Sequence, residues 1–246
     1  IAAVVSLVSL NEGLENSIVG EFEKLGNDRL TIFPGGTTAG PLSASSAGAT
    51  LTQEDIDYIN KIKGVDNSIG LIFDGGVMEF KGQIKQIILV GTPNDEESIK
   101  FIEENGLYEV EEGRILLSND KFKAVVGKGL NEDYFDKSVE VGNKIIVEGY
   151  EFKVVGIQKS SGVGQDDTVV RIPMEIMRDI LGEEDRVDMI SVKIKDGENI
   201  TEVAAKVTKD LGNFRNVEEG KEDFELQTPE QTIQIFKAVL NIIQVV

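Results

Sequence analysis

The sequence predicts an α+β fold with two lobes, bracketed by an N-terminal and a C-terminal helix. Three observations lead to this prediction. Apolar residues recur at helical spacing near both ends of the 246-residue chain. Between these ends, helix-like and strand-like segments alternate along the chain. From Glu109 the pattern changes to short strand-like runs, which is typical of a β-rich insertion between two α/β halves.

The N-terminal helix is predicted over residues 4–25. Glutamates occupy its other faces, and Gly26 with Asn27 supplies a helix stop. The apolar positions, which follow each other at steps of three, four and about seven residues, are Val4, Leu7, Val8, Leu14, Ile18, Phe22 and Leu25.

The C-terminal helix is predicted to begin at Pro229, with Thr228 as its N-cap. One face carries Ile233, Phe236, Leu240 and Ile243. Both terminal apolar runs are shorter than the roughly 20 residues that cross a bilayer. We expect them to be the ends of longer hydrophobic helices, and two core helices at the termini are the alternative.

For the first part of the chain between the terminal helices, the sequence predicts a strand, a Gly- and Ser-rich loop, a helix capped by Thr52, a hairpin and a second helix. The hairpin turn is assigned to Asp74-Gly75-Gly76, because glycines at such a position favour a tight turn. The predicted ranges are a strand at 29–33, the loop at 34–49, a helix at 53–63, strands at 65–73 and 77–90, and a helix at 96–105.

The later part predicts a hairpin around Gly149, flanked by apolar alternation, and a strand that leads through Pro173 into a helix closed by Gly182. The predicted strands are 139–142, 144–148, 152–157, 168–172 and 186–194, with helices at 129–135, 174–181 and 199–211 and an extended stretch at 214–226.

Composition excludes several function classes. The chain carries 25 Lys and Arg against 44 Asp and Glu, a net charge of −19, which argues against nucleic-acid binding. Without His or Cys it lacks the Ser-His-Asp triad and thiolate chemistry. A carboxylate-only site remains open at Asp166-Asp167 or at Glu183-Glu184-Asp185, although acidic pairs in loops are usually solvated surface. We expect no catalytic, cofactor-binding or metal-binding residues and no cofactor in this chain.

Four stretches, in order along the chain, resemble the extracytoplasmic core domain of MacB-type ABC transporter permeases, relatives of FtsX and of the lipoprotein-release permeases. An "EGR" at 112–114 also matches that family's turn, but the segment after it is shorter and more charged than the family pattern. The four stretches are SLNEGLENSI (9–18) through LGNDRLTIFPGG (25–36), VGNKIIVEGYEFKVVGI (141–157), VRIPME (170–175), and the helix from Thr228 onward.

The resemblance implies a permease with four transmembrane helices per subunit that acts as a homodimer with a cytoplasmic ABC ATPase, separate or fused. It implies an α/β, porter-like lobe at 27–108 and 187–227, an inserted β-rich lobe at 109–186, and stalk helices at 1–26 and 228–246. ATP-driven movement of the stalks would reshape this domain, a mode called mechanotransmission. The stalk residues expected to carry it are Leu14, Ile18, Phe22, Leu25, Ile233, Phe236 and Leu240.

Two function classes follow as alternatives. The first is transport, in which this extracytoplasmic domain of a cell-membrane permease acts on an exported substrate or on an extracytoplasmic protein partner. The second is a membrane-tethered module that binds a ligand or protein without a transport role. Four transmembrane helices and a neighbouring ATPase gene would favour the first, and a single membrane anchor the second.

Overall fold

A computed structural model describes residues 28–35, 49–132, 134–160 and 166–231. Within them, ten strands form one sheet and two short strands form another. The strands are β1 (Arg29–Pro34), β2 (Leu51–Thr52), β3 (Val65–Phe80), β4 (Gln83–Thr92), β5 (Val110–Gly113), β6 (Lys123–Gly127), β7 (Lys144–Val147), β8 (Tyr150–Gln158), β9 (Val169–Pro173), β10 (Arg186–Val187), β11 (Met189–Ile194) and β12 (Phe224–Gln227). The helices are α1 (Gln53–Ile59), α2 (Glu96–Asn105), α3 (Lys128–Asn131), α4 (Met174–Leu181) and α5 (Ile200–Phe214).

One end of the large sheet has the antiparallel order β12-β1-β11-β3. Helix α5 begins where the side chain of Asn199 accepts hydrogen bonds from the backbone N–H groups of Thr201 and Glu202. Its apolar residues recur at three- and four-residue steps and face the sheet, and α1 packs beside it. Together they bury a core of apolar side chains, each worth about 1.5–3 kcal/mol of transfer free energy: Leu30, Ile32, Ile56, Ile59, Val192, Val203, Val207 and Leu211.

Strand β3 is 16 residues long and belongs to two parts of the fold. Its first part pairs with β11 as far as Leu71, and its second part pairs with β4 from Ile72 to Phe80. At about 3.3 Å per residue, such a strand extends roughly 50 Å. It therefore runs from the sheet covered by α1 and α5 into the second part of the molecule.

The second part is a closed ring of strands. Beyond Ile72, β3 pairs with β4, and the ring continues through β9, β6, β8 and β7 back to β3. Because side chains alternate between faces, every second residue of these strands points inward. The interior is filled by buried apolar side chains that include Ile72, Met78, Leu89, Ala124, Val126, Ile145, Val147, Phe152, Val154, Val170 and Ile172. We call this closed ring the barrel.

Helix α2 fills the angle between the sheet and the outer wall of the barrel. The Asp95 side chain accepts a hydrogen bond from the backbone N–H of Ser98 at the start of the helix, and Gly106 closes it in the left-handed conformation. Its residues Phe101 and Ile102 form a third core with Ile69 of β3 and with Val125 and Val155 on the barrel. The sheet and the barrel are thus packed together and not merely connected.

The predicted turn at Asp74-Gly75-Gly76 is wrong. These residues lie inside β3, and the hairpin turns instead at Lys81-Gly82, where both residues have positive φ angles of 49° and 82°. That pair of angles matches the twist of the flanking strands, whereas Gly75 and Gly76 adopt extended backbone. The two glycines leave one stretch of β3 without side chains that resist bending.

Most other elements follow the sequence prediction. The hairpin around Gly149 is confirmed, with Glu148 and Gly149 at φ angles of 49° and 84°, and Pro173 leads into α4, which Gly182 ends in the left-handed region. The strand predicted at 139–142 is wrong, because the backbone there forms a turn that bonds to β8 through Gly142. The helix predicted at 129–135 is shortened to α3.

The two-lobed α+β class is confirmed by the mixed sheet-and-helix architecture and its separate cores. The lobe boundaries at 109 and 186 stay a prediction. The barrel interior includes Ile72, Met78, Phe80, Ile87 and Leu89, which come before residue 109. The predicted N-terminal helix lies outside the described residues, as does the predicted C-terminal helix after Gln231.

Candidate functional site

The two ends of the described body meet at one edge of the sheet. Strand β1 begins at Arg29 and β12 ends at Gln227, and the two strands are antiparallel neighbours with Thr31 opposite Gln227. Directly opposite residues of such a pair have Cα atoms about 5 Å apart. The segments before β1 and after β12 therefore join the body side by side, at a place that we call the base.

Residue Asp28, which precedes β1, is fixed to the base by two contacts. Its carbonyl accepts a hydrogen bond of 2.9 Å from the backbone N–H of Ile194, and its carboxylate pairs with the ammonium of Lys193. Ile194 is also the last partner of β3, opposite Val65. The base therefore joins the start of β1 to the start of β3 through the end of β11.

After β12, a helix begins almost immediately at the base. The backbone N–H of Thr228 donates to Oε1 of Gln231 at 2.8 Å, and the backbone N–H of Gln231 donates to Oγ1 of Thr228 at 3.3 Å. This reciprocal pair is a capping box, and residues 229–231 are helical. The predicted N-cap at Thr228 is confirmed, and only this residue separates β12 from the helix.

The opposite end of the β1–β12 pair is held by Arg215, which follows α5. Its guanidinium donates to Asp223 at 2.8 and 2.7 Å, to Oδ2 of Asp55 at 2.6 Å, and to the carbonyl of Thr50 at 3.1 Å. Asp55 is 1% exposed, so this is a buried ion pair. The hydrogen bond from Arg215 lowers the pKa of Asp223 below its ordinary value. The strand pair is therefore held to the sheet by side-chain contacts at both ends.

Arg29 is a buried cation at the base. It is 8% exposed, and its Nη2 atom has no hydrogen-bond partner within the described parts of the chain. Burial lowers the pKa of this guanidinium. A buried polar atom without a hydrogen-bond partner costs free energy, so the Nη2 atom of Arg29 lowers the stability of the fold.

A second polar cluster, at the edge of β3, lies where that strand passes from the sheet to the barrel. Arg186 donates from Nε to both carboxylate oxygens of Asp188, at 2.9 and 3.1 Å, and from Nη1 to Asp74 at 3.1 Å. Its Nη2 donates to the carbonyl of Phe73 at 3.0 Å, while Asp188 accepts from the N–H of Phe73 at 2.9 Å. Burial raises the pKa of Asp188, and the hydrogen bond from Arg186 opposes that rise.

Comparison with known proteins decides the family. The family model described as MacB-like periplasmic core domain matches residues 1–210. The chain belongs to this family. It is accordingly a periplasmic or extracellular domain of a MacB-like ABC permease. The recognition made from the four sequence stretches is confirmed.

Relatives of the MacB-like core domain include whole transporters. An uncharacterized ABC transporter permease of Methanocaldococcus jannaschii is 32% identical over all of this chain, which spans 59% of that protein. A macrolide export ATP-binding/permease protein MacB of Neisseria meningitidis is 27% identical over 97% of this chain, which spans 36% of it. The chain thus spans little more than half of the first relative and about a third of the second.

Solved structures share the fold of this MacB-like domain. The periplasmic region of MacB from Actinobacillus actinomycetemcomitans matches with a TM-score of 0.67 at 17% identity, covering 87% of this chain and 95% of that one. The extracellular domain of the noncanonic ABC-type transporter YknZ matches with a TM-score of 0.61 at 16% identity, covering 82% and 100%. Among the helices of the described residues, none has the length and hydropathy needed to span a bilayer.

The seven predicted stalk residues lie outside the described residues, so their role stays a prediction. They are Leu14, Ile18, Phe22, Leu25, Ile233, Phe236 and Leu240. Of the two predicted acidic stretches, the one at 183–185 forms an ion pair, because Glu183 lies 3.4 Å from Arg186. Within the described residues, no group of three or more acidic side chains could hold a metal ion. Sequence analysis did not single out Arg186 or Arg215, since their carboxylate partners include residues more than a hundred positions away.

Proposed function

We propose that this domain couples ATP hydrolysis in the cytoplasm to a conformational change outside the membrane, for export or extraction of a substrate. The observation that carries the proposal is the base, where β1 begins next to the end of β12. Two segments that leave a rigid sheet side by side can act on it as a pair. A change in their spacing or tilt would rotate the sheet as one body.

A continuous series of contacts links the base to the barrel. Motion at the base would pass to β11 through Asp28 and its contacts with Lys193 and Ile194. From β11 it would pass to β3, which enters the barrel without a break. Packed cores move as units because they resist deformation. The barrel would therefore swing when the base rotates.

The barrel offers a surface for an extracytoplasmic partner or an exported substrate. On its outer wall, Val77, Ile84 and Ile146 lie on the three neighbouring strands β3, β4 and β7, and Ile84 is 67% exposed. Exposed apolar side chains that share one face favour contact with another molecule. Glu79 lies between Ile84 and Ile146 in the register and adds a charge to this wall.

The proposal places the ATPase outside this chain and requires it as a partner. A MacB relative is itself named an ATP-binding/permease protein, so the ATPase can belong to a separate chain or to another domain. We further propose that the complete permease is a homodimer whose subunits are driven together. In this proposal transport depends on the terminal segments, which would join the membrane part to the base.

The proposal is tested by locking the two terminal segments together in the reconstituted permease with its ATPase. The chain contains no cysteine, so pairs of introduced cysteines have no background within it. A screen would pair one of Leu14, Ile18, Phe22 or Leu25 with one of Ile233, Phe236 or Leu240. An oxidised pair is expected to lower ATP turnover to below about a tenth of the reduced rate, a change of about 1.4 kcal/mol in barrier. Reductant should restore turnover.

The matched control is a cross-strand disulfide between Thr31→Cys and Gln227→Cys, whose Cα spacing suits the bond. These strands already move together, so the control should leave ATP turnover unchanged. Full turnover with verified cross-links between the terminal segments would refute the coupling role. That result would favour the second candidate, a tethered binding module without transport.

A further inference from the structure

Strand β3 lacks a neighbouring strand on one edge at the junction between sheet and barrel. On this edge β11 pairs with it as far as Leu71, and β7 pairs with it again only from Met78. Among the described strands, none pairs with this edge between residues 72 and 77. Gly75 and Gly76 lie in the gap, and a glycine pair in a strand bends easily because it has no Cβ atoms.

Side chains occupy the positions that the missing strand would fill. The N–H of Phe73 donates to the carboxylate of Asp188, and the carbonyl of Phe73 accepts from Arg186. Further along, the N–H of Val77 donates to Oε1 of Glu148 at 2.6 Å, and its carbonyl accepts from the N–H of Glu148. Both ends of the gap are therefore bridged, and the glycine pair lies between the bridges.

Arg186 connects more parts of this junction than any other described side chain at the gap. It reaches Asp74 on β3, Asp188 before β11, and Glu183 after α4, the helix that packs on the barrel core. Its side chain is 10% exposed, and that of Asp188 is 3% exposed. The planar guanidinium can hold several acceptors at fixed angles, which a lysine cannot do.

We propose that Arg186 is a positioning residue that stiffens β3 at the junction, so that rotation of the base reaches the barrel instead of bending the strand at Gly75 and Gly76. This inference rests on the proposed coupling function and names the side chain that keeps β3 rigid. From Gly75, where the strand would bend, to Phe80 the distance along β3 is about 17 Å. A bend of about 20°, the size of the twist between neighbouring strands, would move Phe80 by about 6 Å.

The test is a distance distribution between two spin labels on the 246-residue chain, measured by pulsed electron paramagnetic resonance. One label replaces Lys209 on α5 and the other replaces Glu151 on β8, both exposed positions on opposite sides of the junction. With Arg186 present, we expect one narrow distribution. In Arg186→Met, the distribution should broaden or shift by up to about 6 Å, and Arg186→Lys should lie between the two.

The matched control is Arg114→Met. Arg114 also donates two hydrogen bonds to one carboxylate, that of Asp120, and the other described side-chain hydrogen bonds of this pair go to Ile115 and Leu117, outside β3. Its loss should leave the distribution unchanged. Asp74→Asn provides a second variant in case Arg186→Met does not fold by circular dichroism, because it weakens the contact to β3 and keeps Asp188 paired.

Distance distributions of unchanged width in the folded Arg186 and Asp74 variants would overturn the inference. It would also be overturned if Arg114→Met broadened the distribution as much as the Arg186 variants do. The cross-linking experiment on the terminal segments reports separately on the proposed function. If the distance distributions broaden in the Arg186 variants but the cross-linked permease hydrolyses ATP normally, Arg186 stiffens β3 and the coupling role is refuted. The reverse pattern would keep coupling and refute the role of Arg186.

Discussion

Among the described residues, Arg215 is the one cation that pairs with the buried carboxylate of Asp55, and replacing it with methionine removes that pair. Methionine keeps much of the aliphatic stem, so packing changes little, whereas all four hydrogen bonds of the guanidinium are lost. Asp55 then keeps only its bonds from Thr52, at 2.8 Å from the backbone N–H and 3.1 Å from Oγ1. Within the described parts of the chain, a carboxylate that is 1% exposed is left without a counter-charge.

The magnitude follows from the burial of each partner. Removing one member of a buried ion pair typically costs about 3–5 kcal/mol. The side chain of Asp223 is 33% exposed, so its pair with Arg215 adds no more than about 1 kcal/mol. We therefore expect Arg215→Met to lose about 4 kcal/mol of unfolding free energy. In a chain of this size that loss lowers the melting temperature by roughly 10 °C.

The assay is urea unfolding followed by far-ultraviolet circular dichroism, with the slope checked for constancy between variants. Lys221→Met is the control, because Lys221 pairs with Glu218 on the surface, where both side chains are more than 70% exposed. It should change the unfolding free energy by less than about 0.5 kcal/mol. Adding Asp55→Asn to Arg215→Met should recover part of the loss. A loss below about 1 kcal/mol in Arg215→Met would refute the assignment of this pair as buried and tightly coupled.

Two further predictions concern charged groups. Arg29→Met should leave the unfolding free energy unchanged or raise it by about 1 kcal/mol, since it removes a buried cation whose Nη2 atom has no hydrogen-bond partner in the described residues; a loss above 2 kcal/mol in urea unfolding would contradict it. Arg215 lowers the pKa of Asp223 from its ordinary 3.8, so this carboxylate contributes stability above that pH and loses it as the pH falls through the folded pKa. As the pH is lowered, the unfolding free energy should therefore fall more steeply in the parent chain than in Arg215→Met. Equal slopes in the two proteins would count against the Arg215–Asp223 pair.

Local signals in the sequence predicted several elements correctly. The hairpin at Gly149 and the step from Pro173 into α4 depend on residues that are close in the sequence, and both are present. The turn at Asp74-Gly75-Gly76 was wrong because two hairpin-like glycine signals lie in one stretch, and Lys81-Gly82 is the one that turns. Which of them turns depends on the register against β4 and β7, which local pattern does not contain.

The contacts that organise the site could not be predicted from the sequence. Asp55 and Arg215 are 160 residues apart, and Asp74 and Arg186 are 112 residues apart, so no spacing rule connects them. The position of the base depends on the pairing of β1 with β12, which are also distant in sequence. By contrast, the capping box of Thr228 and Gln231 is local, and the sequence indicated its N-cap.

We expect ATP-driven movement at the base to reach the barrel. This expectation is tested most directly by the distance between two copies of a spin label at Glu151→Cys, one on each subunit of the reconstituted permease, with and without ATP. The distance should change between the ATP-bound and nucleotide-free states, and Arg186→Met should weaken this change. An identical distance in both states, in a permease that still hydrolyses ATP, would contradict it.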